Sequence, residues 1–483
     1  MGLQHLLILL LPISFAWCLP KSAVINKFLT TPANKELNTR PYNQFTKLQQ
    51  ALTMNRNEES GGDGASDSLS ASPYRLSIVA LLVAAFLNLL GFTMAGPITP
   101  ALGQHFELQV GASFGSLTSA YPLGMLCGLF LWPTLSDSMG RPPVIALSLL
   151  GTGLGLALQS YVIASNKSLS LFLLSRVITG SFAGSSPVSK AYIADVAGPN
   201  LPRYLAWRDA ASTLAFLVGP LLGGIVYSTS TSLDFVIRVS ALASLAAAGI
   251  VGLMVKNEKD AKSSEKQRLR NNKFESSDLV SCPLGTSLWG GVVTVCFVSF
   301  LFNVGDSTFH AFFSALLKKQ ELSAHSIGLA YTGLAALSFT ISTTLASPAL
   351  RKVGPVLTCF LGLFAVALGL GGMGIFSTAS LFDILACAGL YYCGVPLYSP
   401  TIPTMLLRCV PPNKRGFILG LDGAINTIAR ILSPLIMGIL YASYGPTGAF
   451  GVAGATTFVA ATTTLVKRFV VLRAENIPDK KQN

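Results

Sequence analysis

The stretch "LAWRDAASTLAFLVGPLLGGIVY", residues 205–227, has a counterpart 214 residues further on. There stands "LGLDGAINTIARILSPLIMGILY", residues 419–441, and nine of the 23 positions are identical. Pro220 lies over Pro434, Gly224 over Gly438 and Tyr227 over Tyr441. The same offset sets Gly140 over Gly354 and Gly180 over Gly394, well outside that stretch. A shared offset at separated places points to an internal duplication. Each copy is also long and apolar enough to cross a lipid hydrocarbon layer as a helix.

The rest of the chain agrees. Of its 483 residues 51% are hydrophobic and 11% charged, against roughly 25% charged in soluble domains. Twelve apolar blocks of near-spanning length are predicted, at about 76–99, 112–134, 144–163, 169–189, 205–227, 235–255, 288–315, 326–347, 355–376, 384–406, 416–441 and 447–466. A polar stretch, 256–287, divides them. The expected fold is an all-α membrane protein of twelve transmembrane helices. It comprises two six-helix pseudo-repeats, 76–255 and 288–469, followed by a polar tail, 470–483. Paired six-helix repeats are an architecture of secondary transporters, with the solute held between the halves near mid-membrane.

The basic residues set an orientation. With twelve spans both ends of the spanning region lie on one side. The loops there and the C-terminal tail carry 20 Lys and Arg, and residues 19–75 add 7. The opposite loops carry Lys167, Lys318 and Lys319 alone, and four arginines, Arg176, Arg208, Arg238 and Arg430, fall within spans. Positive loops face the cytosol or a matrix-like compartment. This distribution absorbs the net charge of +13 and leaves no patch for nucleic acid. Residues 1–18 hold an apolar core too short to span, as in a signal peptide. Residues 19–75 are basic, Thr/Asn-rich and acid-poor at first, as in a transit peptide, and then flexible. A signal followed by a transit segment implies a plastid envelope; a plain cytosolic tail implies a plasma membrane or endomembrane. Asn166-Lys-Ser is a glycosylation sequon in an opposite-side loop, usable only in a secretory lumen.

Other chemistries find no support. The eight cysteines are scattered and mostly lie in apolar blocks, with no metal-ligand or disulfide pattern. No nucleophile–base pair is visible, so an enzyme is not expected, nor any cofactor or metal.

The charges that remain near the membrane are the candidates for function, because an ionisable group among apolar helices is costly. "LSDSMGRPPV", residues 135–144, joins spans 2 and 3. Asp137 sits near a helix C-terminus and Arg141 near a helix N-terminus, each against the local dipole, so both need partners. Gly140 allows a tight turn and two prolines suit a first helical turn. Span 4 carries Arg176 with Gly180 one turn on, and span 5 carries "GPLLGG", where Gly219, Pro220, Gly223 and Gly224 permit a kink and close packing. On span 7, Asn303, Asp306 and His310 are spaced 3 and 4 apart and share a face. Tyr391, Tyr392 and Tyr398 lie on span 10, and Asp422 and Arg430 on span 11.

These segments resemble the major facilitator superfamily, and in particular its tetracycline-efflux type of drug/proton antiporter. The loop signature G-x-L-x-D-x-x-G-R-R-x of that group is matched at Leu135, Asp137, Gly140 and Arg141. Pro133 stands for a glycine, and Ser138 and Pro142 for basic residues. "AYIAD" (191–195) and "GPLLGG" (219–224) are similar too, with Ala215 in place of the latter motif's first glycine. The resemblance covers residues 76–470. It implies secondary active transport of a small organic solute by a monomer in lipid, by alternating access. It also implies protons as the coupled ion, with Asp137 latching to span 11 around Arg415–Asp422. It implies a proton-transfer role for Arg176 and places span 7 on the cavity. Asn88 stands where the antiporters carry an acid, which favours uncoupled uniport as an alternative. A receptor or chaperone that keeps the fold without transport is the third, disfavoured by the retained charges. Gating is thus expected at Asp137, Gly140, Arg141, Gly219, Pro220, Gly223 and Gly224. The cavity is expected at Asn88, Arg176, Asn303, Asp306, His310 and Tyr391.

Overall fold

A computed structural model of the chain describes residues 74–197, 201–256, 289–411 and 414–466. The signal-like segment, nearly all of the basic tail, the central polar stretch and the C-terminal tail lie outside the described residues.

The described chain is helical throughout. In order the helices are α1 (Arg75–Thr93), α2 (Thr99–His105), α3 (Ala112–Met139), α4 (Arg141–Ala164), α5 (Leu169–Ser181), α6 (Ser185–Val196), α7 (Leu201–Ser230) and α8 (Leu233–Met254). Then follow α9 (Trp289–Lys319), α10 (Ala324–Ile341), a π-helical turn (Ser342–Ala346), α11 (Ser347–Lys352), α12 (Pro355–Ile375), α13 (Leu381–Tyr398), α14 (Thr401–Arg408) and α15 (Arg415–Val466).

Among the described residues, ten helical segments are long and apolar enough to cross a membrane. Two features reconcile that number with twelve spans. First, α15 has 52 residues, about 78 Å of helix against a hydrocarbon layer of about 30 Å. Its chain turns back at Gly445, whose φ is 67°, so it makes two crossings. Second, the fourth span is broken. The expected helix over 169–189 ends at Ser181 and restarts at Ser185, and the second piece runs on to Val196. The first span is also shorter than expected, ending at Thr93 ahead of a turn and α2.

Packing follows the duplication. In the first half α8 lies against α4 and α1, α7 against α1, and α3 and α4 against α5. In the second, α9 and α12 lie against α15, and α13 against α12 and α10. The halves meet along two seams, α3 with α15 and α7 with α10. At the end opposite the basic loops these seams are tight: a Cβ at Gly115 would overlap the Pro434 carbonyl, and one at Gly328 the Pro220 carbonyl. Phe114, Phe312 and Tyr441 form one ring-to-ring chain across that end. At the basic end the first half keeps a separate core of its own around Ile78, Trp132, Val144 and Tyr192. There Cβ atoms added at Gly416, Gly420 or Gly423 would meet nothing. From Phe339 to Leu345 almost every residue of the α10 end and its π turn is exposed, four hydroxyl-bearing residues among them. The seams are therefore tight at the end opposite the basic loops, while the ends of α10 and α15 near the basic loops are exposed.

Candidate functional site

The polar network at the centre of the second half begins on α9. Asn303 and Asp306 are buried there, one turn apart. Three other groups converge on the Asp306 carboxylate. The Tyr391 hydroxyl, from α13, donates to its Oδ1 at 2.6 Å. His310 Nε2, one turn along α9, stands 3.7 Å from the same oxygen. Arg430 Nη2, from α15, stands 3.9 Å from Oδ2. Arg430 also donates through Nε to Asn303 Oδ1 at 3.2 Å. The acid is buried, while His310 and Arg430 are each about half exposed. A buried carboxylate is thereby capped by two partly wetted cationic or basic side chains.

A second polar string continues toward the basic end. Ser299 donates to Asn426 Oδ1 at 2.9 Å, and Asn426 Nδ2 donates to Asp422 Oδ2 at 2.9 Å. The Tyr398 hydroxyl donates to Ser299 Oγ at 3.3 Å. Aromatic rings pack the wall behind both groups. Phe309 stacks on Tyr391 at 4.1 Å between centroids, and Phe302 on Tyr398 at 3.8 Å. These stacks fix the tyrosines so that their hydroxyls meet polar partners, which a buried phenol requires.

The expected site residues divide. Asn303, Asp306, His310 and Tyr391 come together. Arg176 does not join them: its guanidinium stands 5.8 Å from the Phe172 ring, and its Nε has no hydrogen-bond acceptor among the described residues. Asn88, on α1, accepts from the Ser244 hydroxyl at 3.3 Å. Arg430 is the residue that sequence spacing left out of the site. Its signal was present, a lone arginine in mid-span, but its partner lies more than a hundred residues away on another helix.

The gating candidates occupy turns and close helix contacts, with one difference in partner. Gly140 begins α4 at φ 98°, and its repeat-mate Gly354 begins α12 at φ 87°. A side chain is strained at such φ values, which explains why both copies hold glycine. Gly219 and Gly223 press against Thr93 at the end of α1 and Met94 just past it, and Gly224 against the start of α10. Arg141 Nη1 pairs with Asp137 Oδ1 at 2.8 Å, and its Nε with Asp195 Oδ2 at 3.2 Å. Its Nη1 also donates to Ser136 Oγ at 2.6 Å. In this conformation Asp137 is 70% exposed and pairs four residues along rather than with span 11. Its carboxylate is here satisfied within its own loop by Arg141.

Comparison with known proteins agrees with this architecture. The family model of the Major Facilitator Superfamily matches residues 81–313 and 295–483. The tetracycline resistance protein, class C, of Escherichia coli is 24% identical over 385 residues, 77% of this chain and 91% of that protein. Multidrug resistance protein 1 of Bacillus subtilis (strain 168) is 23% identical over 374 residues, 76% of this chain and 90% of that protein. Among solved structures, the human organic anion transporter MFSD10 (TETRAN) superposes with a TM-score of 0.58 at 19% identity, over 81% of this chain and 99% of that one. A D-xylose-proton symporter does so with a TM-score of 0.64 at 16% identity, over 80% and 96%. With a family match along nearly the whole spanning region and the two-seam helical fold, the chain belongs to the Major Facilitator Superfamily and is a multi-pass membrane transporter, not an enzyme.

Proposed function

We propose that this protein is a secondary active transporter of a small organic solute, working as a monomer in lipid by proton-coupled antiport. The observation that carries this is Asp306, a buried carboxylate held by Tyr391 and faced by Arg430 and His310. Protonating Asp306 removes the charge that holds Arg430 and His310 in place. With that charge gone the cluster no longer offers its carboxylate to a cationic or donor-bearing solute, and a solute arriving on the ionised carboxylate in turn displaces the proton. Proton and solute thus compete for one cluster, which is what exchange requires. The tight seams at one end and the exposed stretches near the basic loops support an inward-facing conformation under the orientation set by the positive loops. The opposite end closes around Gly115–Pro434 and Gly328–Pro220. Closing the basic end would bring Asp137 toward span 11 and complete the cycle. The names of the tetracycline and multidrug resistance relatives support an outward direction of transport.

The test is uptake and efflux of a panel of organic cations, anions and neutral solutes in proteoliposomes, with and without an imposed pH gradient. Flux that follows the gradient supports antiport. Asn88, an amide bonded to Ser244 on the first span, favours the second option, uncoupled uniport. Flux indifferent to the gradient selects that. For the membrane involved, we propose a plastid envelope if residues 1–75 act as a two-part leader, and a plasma membrane or endomembrane otherwise. Purely cytosolic fluorescence from a fusion carrying residues 1–75 would remove the former.

A further inference from the structure

A cavity of about 120 Å³ lies inside the first half, between α1, α4, α6 and α7, and shares no residue with the Asp306 cluster. Its polar lining is Asn88, Ser185, Ser186, Ser189, Arg208 and Ser212. Two independent features make it a place for negative charge. The first is the break in the fourth span. The helix α6 restarts at Ser185 with Gly184 as its cap residue and no side chain capping it. Ser185 and Ser186 are its first two residues and line this cavity, so the positive end of its dipole lies beside it. The second is Arg208, only 6% exposed. Its Nη2 donates to Ser186 Oγ at 2.6 Å, and its Nε has no acceptor among the described residues. The carboxylate that pairs with it, Asp209, is 64% exposed, reaches it only at 3.4 Å, and is shared with Lys190 at 3.8 Å. Nη1 contacts Asp209, Nη2 contacts both the hydroxyl and, at 3.4 Å, the carbonyl of Ser186, and the buried Nε–H is left as the donor with no partner among the described residues.

We propose that this cavity binds a small organic carboxylate, held by Arg208, the Ser186 hydroxyl and the start of α6. A guanidinium presents paired donors that match the two oxygens of a carboxylate. The Asn88 amide supplies a further donor around the organic remainder, while the Ser189 and Ser212 hydroxyls donate back to the Ser185 and Arg208 carbonyls and offer acceptor lone pairs. The cavity volume admits an acid of a few carbons. The site does not depend on proton coupling or on the direction of transport, so it stands or falls separately from the Asp306 mechanism.

The test is equilibrium binding to the full-length protein in an uncharged detergent, which removes anionic lipid as a source. Propionate and its neutral isostere propionamide are titrated by calorimetry, with thermal unfolding as a second readout. Propionate should bind at least about tenfold more tightly than propionamide. Arg208→Gln should reduce propionate binding by about tenfold or more, and Ser186→Ala by a few-fold. Should Arg208→Gln fail to fold, Arg208→Lys keeps the charge but loses the paired donors, and should also weaken binding. Equal binding of acid and amide overturns the assignment. So does wild-type binding in both Arg208→Lys and Ser186→Ala, or equal competition by inorganic phosphate.

Discussion

Arg430 and Asp306, brought together from α15 and α9, face each other at 3.9 Å, and Tyr391 from a third helix holds the same carboxylate at 2.6 Å. One carboxylate therefore links three helices of the second half. Neutralising it would loosen all three at once, which is how a proton could reach the packing of the bundle.

Tyr391→Phe removes the shortest of these contacts and keeps the ring that stacks on Phe309. A hydrogen bond to a charged group contributes about 1.5–3 kcal/mol. The variant should unfold at lower temperature and lose gradient-driven flux several-fold. Thermal unfolding and initial rates in proteoliposomes check both; unchanged stability together with unchanged flux contradicts the placement of the hydroxyl on Asp306.

Gly115→Val should wedge the closed seam, because any Cβ there overlaps the Pro434 carbonyl. Overpacking of this kind costs about 1–3 kcal/mol, enough to shift a two-state equilibrium by roughly 5- to 150-fold. On a cysteine-free background, Thr343→Cys should react with an impermeant thiol reagent from the basic side, since Thr343 lies on the exposed π turn. Adding Gly115→Val should slow that labelling as the basic end closes. Labelling that is indifferent to Gly115→Val would separate the seam from gating.

Asp137→Asn should leave folding nearly intact, within about 1 kcal/mol, because its ion pair with Arg141 is exposed on the acid's side. Flux should nevertheless fall, since the charge is expected to meet span 11 only when the basic ends approach. A double variant, Asp137→Cys with Arg415→Cys, should form a disulfide far faster under conditions that close this end. Arg141→Gln should cost more stability than Asp137→Asn, because Arg141 also binds Asp195 and Ser136. Wild-type flux in Asp137→Asn would remove the latch.

Much of this frame was legible in the chain. The 214-residue offset became geometry: Pro220 and Pro434 face glycines in opposite seams, Gly224 and Gly438 pack one turn further along, and Gly140 and Gly354 turn alike. Duplicated sequence could report these positions because both copies meet the same steric demand. The shared face of Asn303, Asp306 and His310 was legible because helical spacing is local. The pairing of Arg430 with Asp306 was not, since it depends on how α15 lies against α9. Nor was the break in the fourth span foreseen: "SFAGSSP" (181–187) has a glycine and a proline, yet the flanking apolar residues continue a spanning pattern. The cavity at Arg208 stayed hidden for the same reason as the Arg430 pairing, because four helices must assemble before it exists.

The most direct test of the central claim is Asp306→Asn, assayed with a solute that the panel identifies. The account predicts that the variant loses accumulation driven by a pH gradient while solute exchange without a gradient stays within about threefold of wild type. Gradient-driven accumulation at the wild-type rate in Asp306→Asn would contradict it.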